Sequence, residues 1–303
     1  MATANNTAAT SQARTVTIKE AKKAILRCFQ VQRPIMLHSG PGIGKSEVIA
    51  QIAKQMGGVT VDLRMGTLDI SDIRGIPYFD KNSNVMRWAP PEELPTEEFA
   101  SQYPIVVLFL DEINTAVPAV QASAYQLILN RRVGTYTLPK NVVIVADGNR
   151  ESDKGVTYKM PSPLANRFVH LELRVDYDSW FEWAVQNRIH KDVIGFITFS
   201  KDSLNDFNPM SASKAFATPR SWSFVSQFLE NETDDAILTE LVAGTIGEGL
   251  ALKFMAHRKV ASQLPNPTDI LNGLVNELKV KEISAMYSLA TSMCYELQDA
   301  HLK

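Results

Sequence analysis

The segment SGPGIGKSE, residues 39–47, has the residue types and the spacing of a phosphate-binding loop. It follows the pattern GxxxxGKS/T at every position except the first, where Ser39 stands in place of glycine. Its three glycines let backbone N–H groups converge on phosphate oxygens, and a helix that begins after them turns its positive end toward the anion. Lys45 supplies a charge for the β- and γ-phosphates, and Ser46 supplies a hydroxyl for Mg²⁺. The segment therefore predicts nucleotide binding. The residues predicted to contact the nucleotide are Gly40, Pro41, Gly42, Ile43, Gly44, Lys45, Ser46 and Glu47.

An acidic pair follows an apolar run further along the chain. The stretch IVVLFLDEIN places Asp111 and Glu112 directly after six apolar residues. Ligands bind outside the carboxyl ends of the strands in an open parallel sheet. One carboxylate can hold Mg²⁺, directly or through water, and the other can accept a proton from an attacking water. The pair therefore predicts hydrolytic chemistry at the bound nucleotide.

Three further polar residues carry weaker signals when each is judged singly. Asn149 ends the stretch NVVIVADGN, where it is either a turn residue or an amide that orients water beside the acidic pair. Arg167 in PLANRF and Arg220 in TPRSW have the surroundings of ordinary surface arginines. Their spacing alone predicts no role.

The elements that must position these residues alternate between two patterns. Five short apolar or β-branched runs, mostly without polar alternation, have the composition of strands buried on both faces. They are Pro34–His38, Val59–Leu63, Ile105–Leu110, Val142–Ala146 and Val169–Val175. Helical patterns lie between several of them, at Lys45–Met56 and Ala119–Asn130, and a TxxE capping box at Thr17 and Glu20 begins an earlier helix. This alternation predicts a parallel α/β sheet.

The chain changes character after about Arg174, where strand patterns stop and helical stripes continue. Such stripes are Trp222, Val225, Phe228 and Leu229, and later Ile283, Met286, Ala290, Cys294 and Leu297. A second, helical domain is therefore expected. Two stretches of the first part read as hairpins, Tyr78–Trp88 around DKNSN and the shorter Arg131–Leu138.

The order of SGPGIGKS, VVLFLDEIN, VVIVADGN, MPSPLANRF and TPRSW resembles that of the AAA+ ATPases, and specifically of the MoxR family. The resemblance extends from about Thr15 to at least Leu229. It implies an α/β fold in which a P-loop αβα core with a parallel five-stranded sheet precedes an α-helical lid domain. The expected limits are a disordered tail at residues 1–14, the nucleotide-binding core at 15–174 and the lid at 175–303.

The resemblance also implies a role for each candidate residue. GKS becomes the Walker A motif, and Asp111 and Glu112 become Walker B, with Asp111 at Mg²⁺ and Glu112 as the base. Asn149 becomes the sensor that positions water. Arg167 becomes the arginine finger offered to a neighbouring subunit, and Arg220 becomes the lid arginine that reports on the γ-phosphate. The implied activity is hydrolysis of the β–γ phosphoanhydride of ATP, with Mg²⁺ as cofactor.

The expected assembly and partners follow from the same resemblance. It implies a ring, a hexamer, that remodels or assembles a protein client, in some family members through a partner with a von Willebrand factor type A domain. The segment TLDISDIRG, just before the first hairpin, resembles the region ahead of the family's helix-2 insert, and Arg131–Leu138 resembles the family's insert before the sensor strand. In the family both inserts line the central face of the ring. Plain solvent-exposed hairpins remain the alternative for both, and Tyr78, Phe79 and Trp88 could equally pack against the core.

Composition bears on the alternative functions. The 303 residues include 31 Lys+Arg and 33 Asp+Glu, a net charge of −2, so the basic surplus of a dedicated nucleic-acid binder is missing. A nucleic-acid motor or loader is nevertheless kept as an alternative, with Arg131 and Arg132 as its basic pair. A nucleotide-gated scaffold with little hydrolysis is a third interpretation.

Cysteine content and hydropathy indicate an intracellular protein. Cys28 and Cys294 are far apart and each falls at an apolar helical position, which favours buried free thiols over a disulfide. No zinc-binding spacing occurs. The longest apolar run, Ile105–Leu110, is far shorter than the roughly 18 residues of a membrane span. The polar first fourteen residues lack a signal-peptide core, and a cytoplasmic location is expected.

Overall fold

The computed structural model describes residues 14–150, 153, 157–230, 234–261, 263–275, 277 and 283–301. The predicted tail, residues 1–14, lies outside them except for Arg14. The chain divides into two compact units. The first unit comprises the described residues up to Ser39, Ile52–Gly148 and Tyr158–Arg174, and the second comprises Gly40–Gln51, Asn149–Thr157 and the described residues from Val175 onward. The domain limits expected from the sequence stay a prediction.

The first unit is organised around a sheet of six strands. The described strands of the chain are β1 Thr15–Val16, β2 Ile35–Ser39, β3 Val59–Arg64, β4 Ile76–Asp80, β5 Val85–Ala89, β6 Val106–Asp111, β7 Arg132–Val133, β8 Tyr136–Thr137, β9 Val142–Asn149 and β10 Val169–Leu173. The sheet has the order β1-β10-β2-β9-β6-β3. The pairs β1–β10, β10–β2, β3–β6 and β6–β9 are parallel. The predicted parallel α/β sheet is confirmed.

All five predicted strands form, and the sheet gains one short strand. The two-residue β1 pairs with β10 and extends the sheet at its edge by backbone hydrogen bonding. No sequence pattern predicted it, because two residues are too few to show a hydrophobic period. Strands β6 and β9 are almost completely buried, as their unbroken apolar composition requires.

Helices cover this sheet and make up the second unit. The described helices are α1 Ile18–Gln30, α2 Lys45–Gln55, α3 Ile70–Arg74, α4 Glu97–Ala100, α5 Pro118–Asn130, α6 Ser162–Ala165, α7 Tyr177–Gln186, α8 Lys191–Phe199, α9 Pro219–Leu229, α10 Asp235–Ile246, α11 Glu248–Ala261, α12 Pro267–Leu271 and α13 Ile283–His301. The predicted capping box begins α1, where Thr17 and Glu20 satisfy each other's backbone N–H groups. Ala21, Ile25 and Phe29 lie on the buried face of this helix.

Both predicted hairpins form in the first unit. Strands β4 and β5 pair antiparallel, as do β7 and β8. Tyr78 and Phe79 are exposed on the first hairpin, whereas Trp88 is half-buried and carries the Arg74 guanidinium 4.5 Å from its ring centroid. The Thr135 hydroxyl donates to the Trp88 carbonyl at 2.7 Å, so the second hairpin is bound to the first. The alternative in which Tyr78 and Phe79 pack against the core is therefore wrong, whereas for Trp88 it is not contradicted.

The second unit is helical, as expected, and has its own core. Trp222 and Phe254 are fully buried there, with their ring centroids 5.5 Å apart. The last predicted stripe behaves differently, since Ile283, Met286 and Leu297 on α13 are exposed. Cys294 is likewise an exposed free thiol, which corrects the expectation of burial, while Cys28 is buried and free as predicted. Periodicity predicted the helix but not which of its faces packs. No helix in the described part of the chain is long and apolar enough to cross a membrane.

Candidate nucleotide site

The predicted phosphate loop joins a strand to a helix. Strand β2 ends at Ser39, and α2 begins at Lys45. Gly42 and Gly44 have positive φ angles of 71° and 90°, which residues with a side chain rarely adopt. A Cβ atom added to Gly44 would meet no atom within 4 Å, so the loop has open space at this position. An open loop at the start of an eleven-residue helix has the geometry that suits a bound phosphate.

The start of α9 lies directly against this loop within the second unit. The Arg220 N–H donates to the Gly42 carbonyl at 3.1 Å. A Cβ on Gly42 would lie 2.5 Å from the Thr218 hydroxyl oxygen, so only glycine allows this approach. Thr218 is the buried N-cap of α9 and forms a capping box with Ser221. The residue before the predicted lid arginine is Pro219, at the first turn of the helix, where a proline needs no hydrogen-bond partner.

A cavity of about 590 Å³ lies in the same unit as the loop. Phe207 and Phe216 line it, with ring centroids 4.9 Å apart. Phe207 also lies 3.5 Å from the position of a Cβ on Gly40. These residues could not be predicted from the sequence, because the irregular stretch between α8 and α9 has neither a period nor a motif.

The acidic pair ends a strand of the first unit. Asp111 is the last residue of β6, and its carboxylate lies 3.4 Å from the Arg64 Nε on the neighbouring β3. These two residues are direct partners in the strand register. Arg64 is 69% exposed, so water screens this ion pair. The sequence analysis missed Arg64, since only the register places it opposite Asp111.

Glu112 begins a tight turn after β6. Its φ is 55°, in the left-handed region. Its N–H donates to a carboxylate oxygen of the buried Asp147 at 2.6 Å, and the next N–H, of Ile113, donates to the Asp147 carbonyl at 2.9 Å. The Thr115 N–H and hydroxyl both donate to the Glu112 carbonyl at 2.9 Å. The direction of the Glu112 side chain is therefore set by a turn that is hydrogen-bonded at both ends. Sequence analysis did not identify Asp147.

The remaining candidates are distributed between the two units. Asn149 is the last residue of β9, and β9 is the sheet neighbour of β6. Asn149 clusters with the second unit, together with the phosphate loop and Arg220. Asp111, Glu112 and Arg167 belong to the first unit. Arg167 is exposed, just after the short helix α6.

The segment that carries the loop and the acidic pair has a recognisable relationship to known proteins. Residues 34–170 match the model of the ATPase family associated with various cellular activities (AAA). The segment is therefore similar to the ATPase domains of the AAA family. It includes Lys45, Glu112, Asn149 and Arg167, and it ends well before Arg220. The match does not distinguish the MoxR family within the larger group.

Three proteins similar to this chain are distant from it in sequence. Midasin of Giardia intestinalis is 26% identical over 179 residues, which cover 56% of this chain and only 4% of the length of that protein. A point mutant of RuvB from Thermotoga maritima is 18% identical, with 91% of this chain and 88% of that chain covered and a TM-score of 0.46. NtrX from Brucella abortus in complex with ATP is 14% identical, with 95% and 60% covered and a TM-score of 0.45. Structural likenesses this weak carry no argument about function.

Proposed function

We propose that this chain is a MoxR-type AAA+ ATPase that couples ATP hydrolysis to the remodelling or assembly of a protein client. The observation that carries the proposal is the contact between the phosphate loop and the start of α9, through Gly42, Thr218 and Arg220. The loop contains two glycines in left-handed conformations, and it is hydrogen-bonded to the first turn of the helix that carries the proposed lid arginine, Arg220. This arrangement suits a site that senses the bound nucleotide.

Nucleotide binding is assigned to the loop and the helix that follows it. Backbone N–H groups of Gly42 to Lys45 and the positive end of α2 hold the phosphates, and the Lys45 ammonium neutralises the β- and γ-phosphates. The hydroxyl of Ser46 and the carboxylate of Asp111 are the oxygen donors that Mg²⁺ prefers. When bound, Mg²⁺ would neutralise charge on the phosphate oxygens.

Hydrolysis is assigned to the residues at the carboxyl edge of the sheet. Glu112 accepts a proton from the attacking water, and Asn149 orients that water. The bond that breaks joins the β–γ bridging oxygen to the γ-phosphorus, and the products are ADP and phosphate. Arg220 contacts the nucleotide of its own subunit, whereas Arg167 stabilises charge in the site of the next subunit of a ring.

The client surface is assigned to the first hairpin. Ile76, Tyr78, Phe79, Val85 and Met86 are exposed on its two strands, an unusual concentration of large apolar side chains on a two-stranded ribbon. A protein client with exposed apolar segments, or a partner with a von Willebrand factor type A domain, suits such a surface. The hydrogen bond from Thr135 to Trp88 ties the second hairpin to it.

The nucleic-acid alternative has less support. Arg131 is half-buried, and its guanidinium donates to the carbonyls of Pro139 and Val142, each at 2.7 Å. This arginine therefore stabilises the end of α5 and is not presented to a phosphate backbone. Of the two arginines Arg131 and Arg132, only Arg132 is exposed.

Capture of the client by a stalled ATPase tests the proposal. Glu112→Gln, purified in ATP, should hold a nucleotide and co-purify a protein partner, while Lys45→Ala should hold neither. A third preparation in which Tyr78 and Phe79 are replaced by serine, in the Glu112→Gln background, should hold the nucleotide and lose the partner. A wild-type protein that neither binds nor hydrolyses ATP would refute the proposal outright.

A further inference from the structure

Asp147 places a carboxylate directly beneath the turn that carries Glu112. The side chain is 2% exposed, and its Oδ1 accepts the Glu112 N–H at 2.6 Å. The carbonyl of the same residue accepts the Ile113 N–H at 2.9 Å. Asp147 on β9 therefore accepts hydrogen bonds from two consecutive backbone N–H groups, those of Glu112 and Ile113, which directly follow β6.

The conformation of Glu112 gives this contact its significance. A φ of 55° is uncommon for a residue with a side chain, and such a conformation persists only where its surroundings hold it. The acceptor is a carboxylate oxygen, and hydrogen bonds to a carboxylate are stronger than bonds between neutral groups. Without the Asp147 carboxylate, the Glu112 N–H would lose this hydrogen-bond acceptor. The Glu112 backbone could then return to ordinary φ and ψ angles.

Neighbouring residues leave Asp147 little freedom to move. A Cβ on Gly148 would lie 2.6 Å from the Asn114 side-chain oxygen and 2.7 Å from the Met36 terminal methyl, so the backbone of β9 is tightly enclosed there. The Asn114 carbonyl in turn accepts the Tyr158 N–H at 2.7 Å. The close packing around β9 and the hydrogen bond from the turn therefore both restrict the position of the Asp147 carboxylate.

We propose that Asp147 is a positioning residue for ATP hydrolysis, acting through Glu112. The inference rests on the proposed function, in which Glu112 is the base. By fixing the left-handed backbone of Glu112, Asp147 sets the direction in which the carboxylate of the base points. Its effect is on the chemical step rather than on nucleotide binding, because the phosphate loop is a separate segment whose N–H groups hold the phosphates.

The test compares two substitutions of Asp147 in the full chain. Asp147→Asn keeps the shape and an oxygen acceptor but removes the charge, and kcat should fall a few-fold. Asp147→Leu removes the acceptor, and kcat should fall on the order of tenfold to a hundredfold, as for loss of a hydrogen bond to a charged group. KM and the affinity for ATP should stay within about twofold of wild type. The matched control is Gln121→Leu, since Gln121 is a buried polar residue of the same core whose amide donates to the Ala116 carbonyl and not to this turn.

A double substitution separates positioning from mere stabilisation of the fold. In a Glu112→Gln background, Asp147→Asn should lower the residual rate no further, because the group through which it acts is already absent. An additional few-fold loss in that background, or a wild-type kcat in Asp147→Asn and Asp147→Leu together, would overturn the inference. Full activity of Glu112→Gln would instead refute the assignment of the base, so the two failures are distinguishable. Should Asp147→Leu not fold, the Asp147→Asn series decides the outcome alone.

Discussion

The backbone N–H of Arg220 donates a hydrogen bond of 3.1 Å to the carbonyl of Gly42. Through this bond the first turn of α9 is fixed to the phosphate loop, although the two residues are far apart in sequence. The contact is possible because Gly42 has no Cβ, which would lie 2.5 Å from the hydroxyl oxygen of the N-cap Thr218. We therefore expect a change in the loop to shift the helix that carries the proposed lid arginine.

Gly42→Ala and Gly44→Ala form a matched pair that tests this contact. Both residues have positive φ, so alanine is strained at either position, by roughly 1–2 kcal/mol. Only Gly42→Ala also drives a methyl group into Thr218, since Gly44 has open space. Gly42→Ala should therefore weaken ATP binding clearly more than Gly44→Ala, as measured by calorimetry, with a lower melting temperature for the helical unit. Equal losses in the two variants would mean that the approach of α9 is unimportant.

Lys45→Ala and Glu112→Gln should separate binding from chemistry. The first removes the charge that faces the phosphates, so affinity for ATP itself should fall. The second removes the base and leaves the loop intact, so ATP should bind normally while kcat falls by about a hundredfold or more. Equilibrium binding of a fluorescent nucleotide and phosphate release measure the two effects. Hydrolysis at the wild-type rate by folded Glu112→Gln protein would remove Glu112 from its proposed role.

Arg167→Ala tests whether the active site is shared between subunits. This exposed arginine should contribute in trans, so its loss should spare ATP binding and reduce hydrolysis on the order of a thousandfold. Mixing Arg167→Ala with Lys45→Ala protein should restore part of the activity, because some interfaces then pair an intact loop with an intact finger. Arg220→Ala, which acts within its own subunit, should show less recovery with the finger variant. Mixed rings that remain inactive at every ratio would exclude the trans arrangement.

Nucleic-acid binding can be tested with two adjacent arginines that the structure distinguishes. No appreciable binding to single- or double-stranded DNA is expected at about 0.15 M salt, and no stimulation of ATPase activity. Arg131→Ala should instead lower stability, since it leaves the carbonyls of Pro139 and Val142 without this donor. Arg132→Ala should leave both properties near wild type. Salt-sensitive binding that depends on Arg132 would favour the motor or loader alternative.

His190 should make the helical unit sensitive to acid. Burial lowers the pKa of this residue below its ordinary value of 6.5, an effect that the nearby Asp192 carboxylate opposes and that Lys191 and Arg258 reinforce. The unfolded chain then takes up its proton at a higher pH than the folded chain, so this contribution to stability is complete above pH 6.5 and is lost as the pH falls toward the folded-state pKa. The imidazole also accepts the Asp192 N–H at the start of α8, which a protonated nitrogen cannot do.

The control for this effect is His190→Asn, because asparagine is a good N-cap that does not titrate. Melting temperatures between pH 7 and pH 5, on the acid side of the ordinary pKa of 6.5, should fall less steeply in the variant than in wild type. Parallel curves for the two proteins would show that His190 does not contribute to acid sensitivity.

Local patterns in the sequence were sufficient to predict most elements of the fold. Unbroken apolar runs predicted strands β2, β3, β6, β9 and β10, because a strand buried on both faces has no polar positions. The phosphate loop was predictable because its function requires particular residues at fixed spacing within a few positions of each other. The capping box of α1 and both hairpins depend on equally local interactions.

The features that the sequence analysis missed depend on residues brought together from distant parts of the chain. Arg64 meets Asp111 only through the register of β3 and β6, and Asp147 meets Glu112 only because β9 lies beside β6. The exposed face of α13 has the same apolar period as a buried one, so periodicity could not show which side of the helix packs.

The sequence by itself therefore determined the elements of the fold on which the proposed site residues lie. Backbone conformation and hydrophobic period, which set those elements, are properties of short segments. Only the tertiary structure decided that Glu112 adopts a left-handed turn over Asp147 and that Arg220 begins a helix bonded to Gly42. Such contacts depend on close packing between distant segments, in which one Cβ atom or one strand register changes the partner of a hydrogen bond.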